Sequence, residues 1–257
     1  VAFIFLFFLV MLFLRKKVMS ENIIIIGSSG AIGSGFVRYY ENQNPSNVIY
    51  ALSRKEIEYS NSNIKNVLIN IEDEETIKSA ASICSEQGSF DKIIIATGVL
   101  HDENLSPEKS FRYLDKEKLE RVFSINTFGP AIISRYFIPL LNKEKSSFLG
   151  FLSARVGSIS DNRIGGWYSY RASKAALNMI IKSLSIEVAR NNPNAIIAGL
   201  HPGTVDSNLS NPFQKNVADG KLFTPDYSIE KMTSVIDNLT SENSGDCFAW
   251  DGERIEF

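Results

Sequence analysis

The chain reads as a doubly wound α/β domain: a single parallel β-sheet of about seven strands with helices on both faces. Three observations predict it. Short apolar runs alternate with amphipathic stretches along the chain. The first apolar run ends in a glycine-rich turn that opens a helix, Gly27-Ser28-Ser29-Gly30-Ala31-Ile32-Gly33. The 257 residues suffice for one large domain with a substantial core.

The strand-like runs are 22–27, 47–53, 65–70, 91–96, 146–153, 194–200 and 245–250. Helical patterns lie near 31–42, 73–87, 116–141, 167–191 and 226–240, and Pro193 with the two asparagines before it stops the fourth of these. Strands joined by helices call for right-handed crossovers, and such sheets bind ligands beyond the carboxyl ends of their strands. The stretch 201–224 shows little periodicity and reads as a loop closing over a site.

Residues 1–18 stand apart. VAFIFLFFLVMLFL followed by Arg15-Lys16-Lys17 is apolar enough for a membrane but spans only about 21 Å as a helix, against a hydrocarbon core of roughly 30 Å. No basic segment precedes the run and no small-residue cleavage site follows it. Met19 begins the pattern of the folded domain, so 1–18 is read as a non-native extension, with a membrane anchor over 1–17 as the alternative, and 20–257 as the domain. A cytoplasmic location is expected. The net charge of −2 and the lack of basic clusters interleaved with aromatics argue against nucleic acid. Cys84 and Cys247 are too far apart in sequence to suggest a thiolate site, and His101 and His201 do not form a ligand pair, so no metal is expected.

The glycine-rich turn suits a dinucleotide: Gly27, Ser29, Gly30, Ile32 and Gly33 would bring backbone N–H groups and a helix N-terminus to a pyrophosphate. The second strand ends at Ser53-Arg54, where an acid would hold a free ribose hydroxyl. Arg54 suits a 2′-phosphate better, so NADP is favoured over NAD. Pro202 and Gly203, with Thr204 and Val205 after them, form a sharp loop beyond the sixth strand.

The chemistry centres on Tyr170-Arg-Ala-Ser-Lys174, which puts a phenol and an ammonium on one helix face. A close cation lowers the pKa of a phenol and so fits it for proton transfer near neutrality. The spacing is not rare, since Tyr227 and Lys231 repeat it. Only the first pair has a strand-borne serine, Ser153, upstream, together with Asn126 inside the preceding helix.

Taken together, these residues resemble the short-chain dehydrogenase/reductase family across 20–257. Within it, Pro107-Glu108-Lys109, SARVGSISDNRIGGWYSYRASKAALNM and HPGTVDSNLSNPF are similar to the C-factor-like (cell-cell signalling) branch. The resemblance implies an NADP(H)-dependent oxidoreductase acting on a small carbonyl or secondary alcohol. Tyr170 would be the general acid/base, Lys174 would hold the nicotinamide ribose and lower the tyrosine pKa, and Ser153 would bind the substrate oxygen. Asn126 would anchor a water next to Lys174. Asn70, Ala96, Gly98, Pro202, Gly203 and Val205 would line the cofactor site, and a homodimer or homotetramer would form.

The chain departs from the family pattern at several of these positions. Ala96-Thr97-Gly98 replaces Asn-Asn-Ala-Gly, Asn70 replaces an acid, and Ala31 replaces a glycine. Ala154 takes the place of the second serine after the fifth strand, leaving Ser153 as the choice and Ser158 as the fallback. These changes keep a second reading open, an NAD(P)-binding signalling or regulatory protein with weak or no turnover. Trp167, Tyr168, Thr204 and Phe213 are candidates for a substrate pocket.

Overall fold

The computed structural model describes residues 19–257, so the extension 1–18 lies outside the described residues. Strand β1 (Asn22–Ile26) carries four consecutive isoleucines, Ile23 to Ile26, all fully buried. The pleat sends Ile24 and Ile26 to one face of the sheet and Ile23 and Ile25 to the other, so each feeds a different core. Burying such a side chain is worth about 1.5–3 kcal/mol, and the unbroken run is what a central strand requires.

From β1 the chain runs through α1 (Ala31–Gln43), β2 (Val48–Ser53), β3 (Ile64–Leu68), α2 (Glu74–Ser85) and β4 (Lys92–Ile95). It continues through α3 (Lys116–Phe123), α4 (Gly129–Phe137), β5 (Ser147–Leu152), α5 (Tyr168–Val188) and β6 (Ala195–His201). The last elements are β7 (Thr204–Val205), β8 (Leu222–Phe223), α6 (Pro225–Asn238), β9 (Cys247–Ala249) and β10 (Arg254–Ile255). The main sheet has 8 strands in the order β10-β9-β6-β5-β4-β1-β2-β3, parallel except where β10 runs against β9. The eighth strand is β10, whose two residues are too short for a periodic signal.

Helices α2, α4 and α5 cover one face of the sheet, while α1 and α6 cover the other. Two further differences from the sequence reading bear on the site. The helix expected over 116–141 is broken at Ser124–Phe128 into a π-helical turn carrying Asn126. The patternless 201–224 stretch folds back on itself, with β7 paired to β8 through Thr204–Leu222 and Val205–Phe223. No described helix is long and apolar enough to cross a membrane.

Candidate active site

The glycine-rich turn begins where β1 ends. Gly27 adopts φ +91°, and a Cβ there would stand 2.8 Å from the Ala96 carbonyl oxygen. A Cβ on Gly33 would fall 2.1 Å from the Gly27 oxygen, so only glycine lets α1 approach its own turn this closely. Gly30 begins α1 without a side-chain cap, and no acid occupies the first turn. Three other helices are capped by their own preceding residue: Asp73 for α2, Asp115 for α3 and Thr224 for α6. The bare N-terminus of α1 therefore leaves N–H groups and positive potential for an anion. The buried hydroxyl of Thr97, beside this turn, also has no hydrogen-bond partner among the described residues. The cradle fits a dinucleotide pyrophosphate.

Other predicted cofactor residues occupy the same carboxyl edge of the sheet. Arg54 is exposed at the end of β2, whereas the Ser53 hydroxyl turns back to the Lys55 carbonyl. The Asn70 side chain accepts from the Glu72 N–H at 3.2 Å and so closes its own turn. Ala96 continues β4 by donating to the Ile26 carbonyl at 2.7 Å. Gly98 faces both Asn126 and Lys174, since a Cβ there would stand 3.5 Å from Asn126 Oδ1 and 3.6 Å from Lys174 Nζ. Pro202 accepts from the Ser228 hydroxyl, Gly203 turns with φ +75° against Phe223 and Trp250, and Val205 is buried.

Asn126 is fully buried. The wider π turn sets its amide against the strand end after β4, where Oδ1 accepts from Val99 N–H at 2.8 Å and Nδ2 donates to Val99 O at 2.9 Å. Nδ2 also lies 3.1 Å from Ser173 Oγ, which ties this turn to α5. Lys174 is buried and donates to the Leu152 carbonyl at 2.7 Å. Its Nζ sits 5.9 Å from the centroid of the Tyr170 ring. Tyr170 is 9% exposed, and its hydroxyl makes no hydrogen bond among the described residues yet is not sealed from solvent.

The electrostatics correct one expectation. Burial alone pushes the Tyr170 phenol up to about 12, and burial lowers the Lys174 ammonium to about 8. Burial sets the direction of the phenol's shift even with the Lys174 ammonium 5.9 Å from the ring centroid. At neutral pH the phenol therefore holds its proton.

Ser153 is the second correction. Its hydroxyl donates to Asn178 Oδ1 at 2.6 Å in the protein interior. Ala154, the next residue on the extended chain, is the one that packs against Tyr170, alongside Leu100, Val156, Trp167 and Phe213. Successive residues of an extended segment point to opposite sides, so Ser153 is turned away from the pocket. Ser158 is also buried, and accepts from the Asp161 N–H at 3.1 Å within its own loop. Neither serine hydrogen bonds to the Tyr170 hydroxyl.

The pocket beside Tyr170 is apolar and aromatic. Trp167 meets Tyr170 edge-on at 6.2 Å between centroids and Phe213 at 5.1 Å, and Phe213 in turn meets His101 at 5.6 Å. Phe213 belongs to the 201–224 stretch and brings that segment against the cluster around the tyrosine. Tyr168 is partly exposed at the start of α5, and Thr204 is partly buried in β7. His201, at the end of β6, is half-buried. Its Nδ1 is buried with no hydrogen-bond partner among the described residues, and burial of the ring with the nearby Arg155 lowers the imidazole to about 4.

A glycine-rich turn, a buried Tyr–Lys pair and an apolar pocket meet at the carboxyl edge of a doubly wound α/β sheet. The family model for short chain dehydrogenases matches residues 21–218, and the chain belongs to that family. A 1-hydroxy-2-glutathionyl-2-methyl-3-butene dehydrogenase from Rhodococcus is 30% identical over 190 residues, covering 74% of this chain and 78% of the relative. C-signal of Myxococcus xanthus is 34% identical over 143 residues, 55% of this chain and 80% of that protein, in line with the C-factor-like branch. Among solved structures, NADPH-bound carbonyl reductase from chicken fatty liver superposes with a TM-score of 0.80 at 23% identity, covering 93% of this chain and all of that one. The Drosophila melanogaster carbonyl reductase Sniffer gives 0.79 at 19% identity over the same share of this chain. The protein is an NAD(P)-dependent oxidoreductase of CH–OH and carbonyl groups.

Proposed function

We propose that the protein reduces a small carbonyl, or oxidises the corresponding secondary alcohol, with NADP(H), and that Tyr170 is the proton donor. The observation that carries this reading is the hydroxyl of the buried Tyr170, beside Lys174, protonated at neutral pH and without a partner among the described residues. A carbonyl oxygen placed against it receives the hydrogen bond that no protein atom takes. The cofactor supplies the hydride when bound. Gly27, Gly30 and Gly33 hold its pyrophosphate, and Arg54, exposed and free of any ion pair among the described residues, holds a 2′-phosphate.

Lys174 keeps a positive charge next to the phenol below pH 8 and so stabilises negative charge as the proton leaves it. Asn126 holds the backbone at Val99 open toward Lys174. The methyl of Ala154 occupies the pocket wall where a second hydroxyl would have bound the oxyanion. Ser153 acts on structure, tying β5 to α5 through Asn178.

That same methyl favours a second reading, a dinucleotide-binding regulatory protein with little turnover, in keeping with the C-signal relative. One experiment separates the two. Oxidation of NADPH and of NADH is followed over a panel of aldehydes and ketones, with wild type beside Tyr170→Phe. The enzyme reading expects turnover with NADPH that drops about 10²–10⁴-fold in the variant, the usual worth of general acid catalysis. Tight NADPH binding with no turnover supports the regulatory reading instead.

A further inference from the structure

We propose that Glu108 is a positioning residue for Tyr170: its carboxylate and its backbone together clamp the first turn of α5, the helix that carries the tyrosine. This rests on Tyr170 being the proton donor. The Pro107-Glu108-Lys109 motif lies in the connection after β4, far in sequence from α5, and the chemistry described so far gives it no task.

The need for a clamp is visible at the helix start. Trp167, the residue before α5, supplies no side-chain cap and adopts φ +51°, the one non-glycine residue with positive φ among the described residues. A bulky side chain in the left-handed region is strained and persists only where its surroundings hold it. Gly165 and Gly166 immediately before it also have positive φ, and the local chain holds this entry only outside the cap, through Gly165 N–H to Asn162 Oδ1 and Arg171 Nε to the Gly166 carbonyl.

Glu108 provides the hold. Its backbone carbonyl accepts from the Trp167 N–H at 2.6 Å. Its Oε2 accepts from the Ser169 N–H at 3.2 Å, in the role that Asp73, Asp115 and Thr224 play from their own sequence positions at other helices. Glu108 is 3% exposed, and among the described residues it forms no ion pair and its Oε1 has no hydrogen-bond partner. A carboxylate taken out of water without a cation is costly, and the N-terminus of α5 is the positive potential that offsets it. The clamped residues lie on either side of the chemistry: Trp167 walls the apolar pocket, and Tyr170 follows Ser169 directly. The bare start of α1 is open toward a phosphate, whereas the bare start of α5 is closed by this acid.

The test compares Glu108→Ala and Glu108→Gln with wild type by amide hydrogen exchange and steady-state kinetics. In Glu108→Ala, exchange at 168–171 accelerates about fivefold or more, the scale of a lost helix cap, while 175–188 is unchanged. The kcat falls about 10–100-fold with the KM for NADPH within twofold, as expected for a small misplacement of the acid. Glu108→Gln, whose amide oxygen still accepts from Ser169, recovers most of the kcat. Unchanged exchange, a kcat within twofold of wild type, or a glutamine variant no better than alanine overturns the proposal. Should the alanine variant not fold, Glu108→Asp draws the carboxylate back by one methylene and must show the same selective loss of kcat; full kcat there overturns it as well. If wild type turns over no carbonyl, the functional reading fails, and the exchange at 168–171 alone decides the clamp.

Discussion

The chain contains two tyrosine–lysine pairs at the same helical spacing, and in both the ammonium lies close to its ring: 5.9 Å from the centroid for Lys174 and Tyr170, 5.5 Å for Lys231 and Tyr227. Their surroundings differ in almost every other respect. Tyr170 and Lys174 are 9% and 2% exposed, on a helix packed between the π turn of Asn126 and the end of β5. Tyr227 is 39% exposed on the first turn of α6, its ring tilted against those of Phe223 and Trp250. Pair geometry is thus common to both, and burial at the strand edge separates a site from a solvated helix face. A charge in water at such a distance interacts by no more than about 1 kcal/mol, whereas in a dry setting the same charge becomes a lever on chemistry.

Replacing the two lysines tests this contrast most strongly. Lys174→Met lowers kcat/KM about 10²–10³-fold, yet raises stability at pH 7 by about 1–2 kcal/mol, because a buried ammonium whose pKa is lowered to about 8 favours unfolding at any pH below that value. Lys231→Met changes both quantities little. Steady-state kinetics and urea unfolding of the two variants read this out, and equal behaviour of the pair breaks the comparison.

Burial also separates His201 from a solvated histidine. A folded pKa of about 4 against an unfolded value near 6.5 means that the folded protein binds fewer protons, so stability present above pH 6.5 is lost as pH falls toward 4. The loss attributable to His201 is about 2–3 kcal/mol between pH 6.5 and 4.5. Urea midpoints of wild type and His201→Gln across that window measure it, and parallel curves contradict it.

Smaller effects mark the two faces of the strand end. Ser153→Ala breaks the hydrogen bond to Asn178, costing about 1–2 kcal/mol in urea unfolding while kcat stays within about threefold. Ala154→Ser puts a hydroxyl beside Tyr170 and raises kcat on a carbonyl by about tenfold, or about 1.4 kcal/mol of barrier. A large kcat loss in Ser153→Ala would restore that serine to the chemistry.

Much of the fold could be read from the residues, because the isoleucine run, the glycine turn and the helix periodicities are local signals. What stayed hidden was non-local or short. The two-residue strands β7, β8 and β10 carry no period, and the π turn differs from an α-helix by a widened backbone bond, Gly129 N–H to the Ser124 carbonyl, which no residue spacing marks. The candidate site showed its tyrosine, lysine and asparagine in motif spacing. Which of Ser153 and Ala154 faces the tyrosine depends on how the chain leaves β5, and spacing alone left that undetermined. Glu108 was legible as part of a motif, but its partner is 61 positions away.

The most direct test sets Tyr170→Phe beside Tyr227→Phe on one carbonyl substrate, with NADPH affinity measured by calorimetry for each. The account predicts at least a hundredfold loss of kcat in the first and less than a twofold change in the second, with NADPH affinity preserved in both. Turnover that survives in Tyr170→Phe, with NADPH still bound, would contradict it.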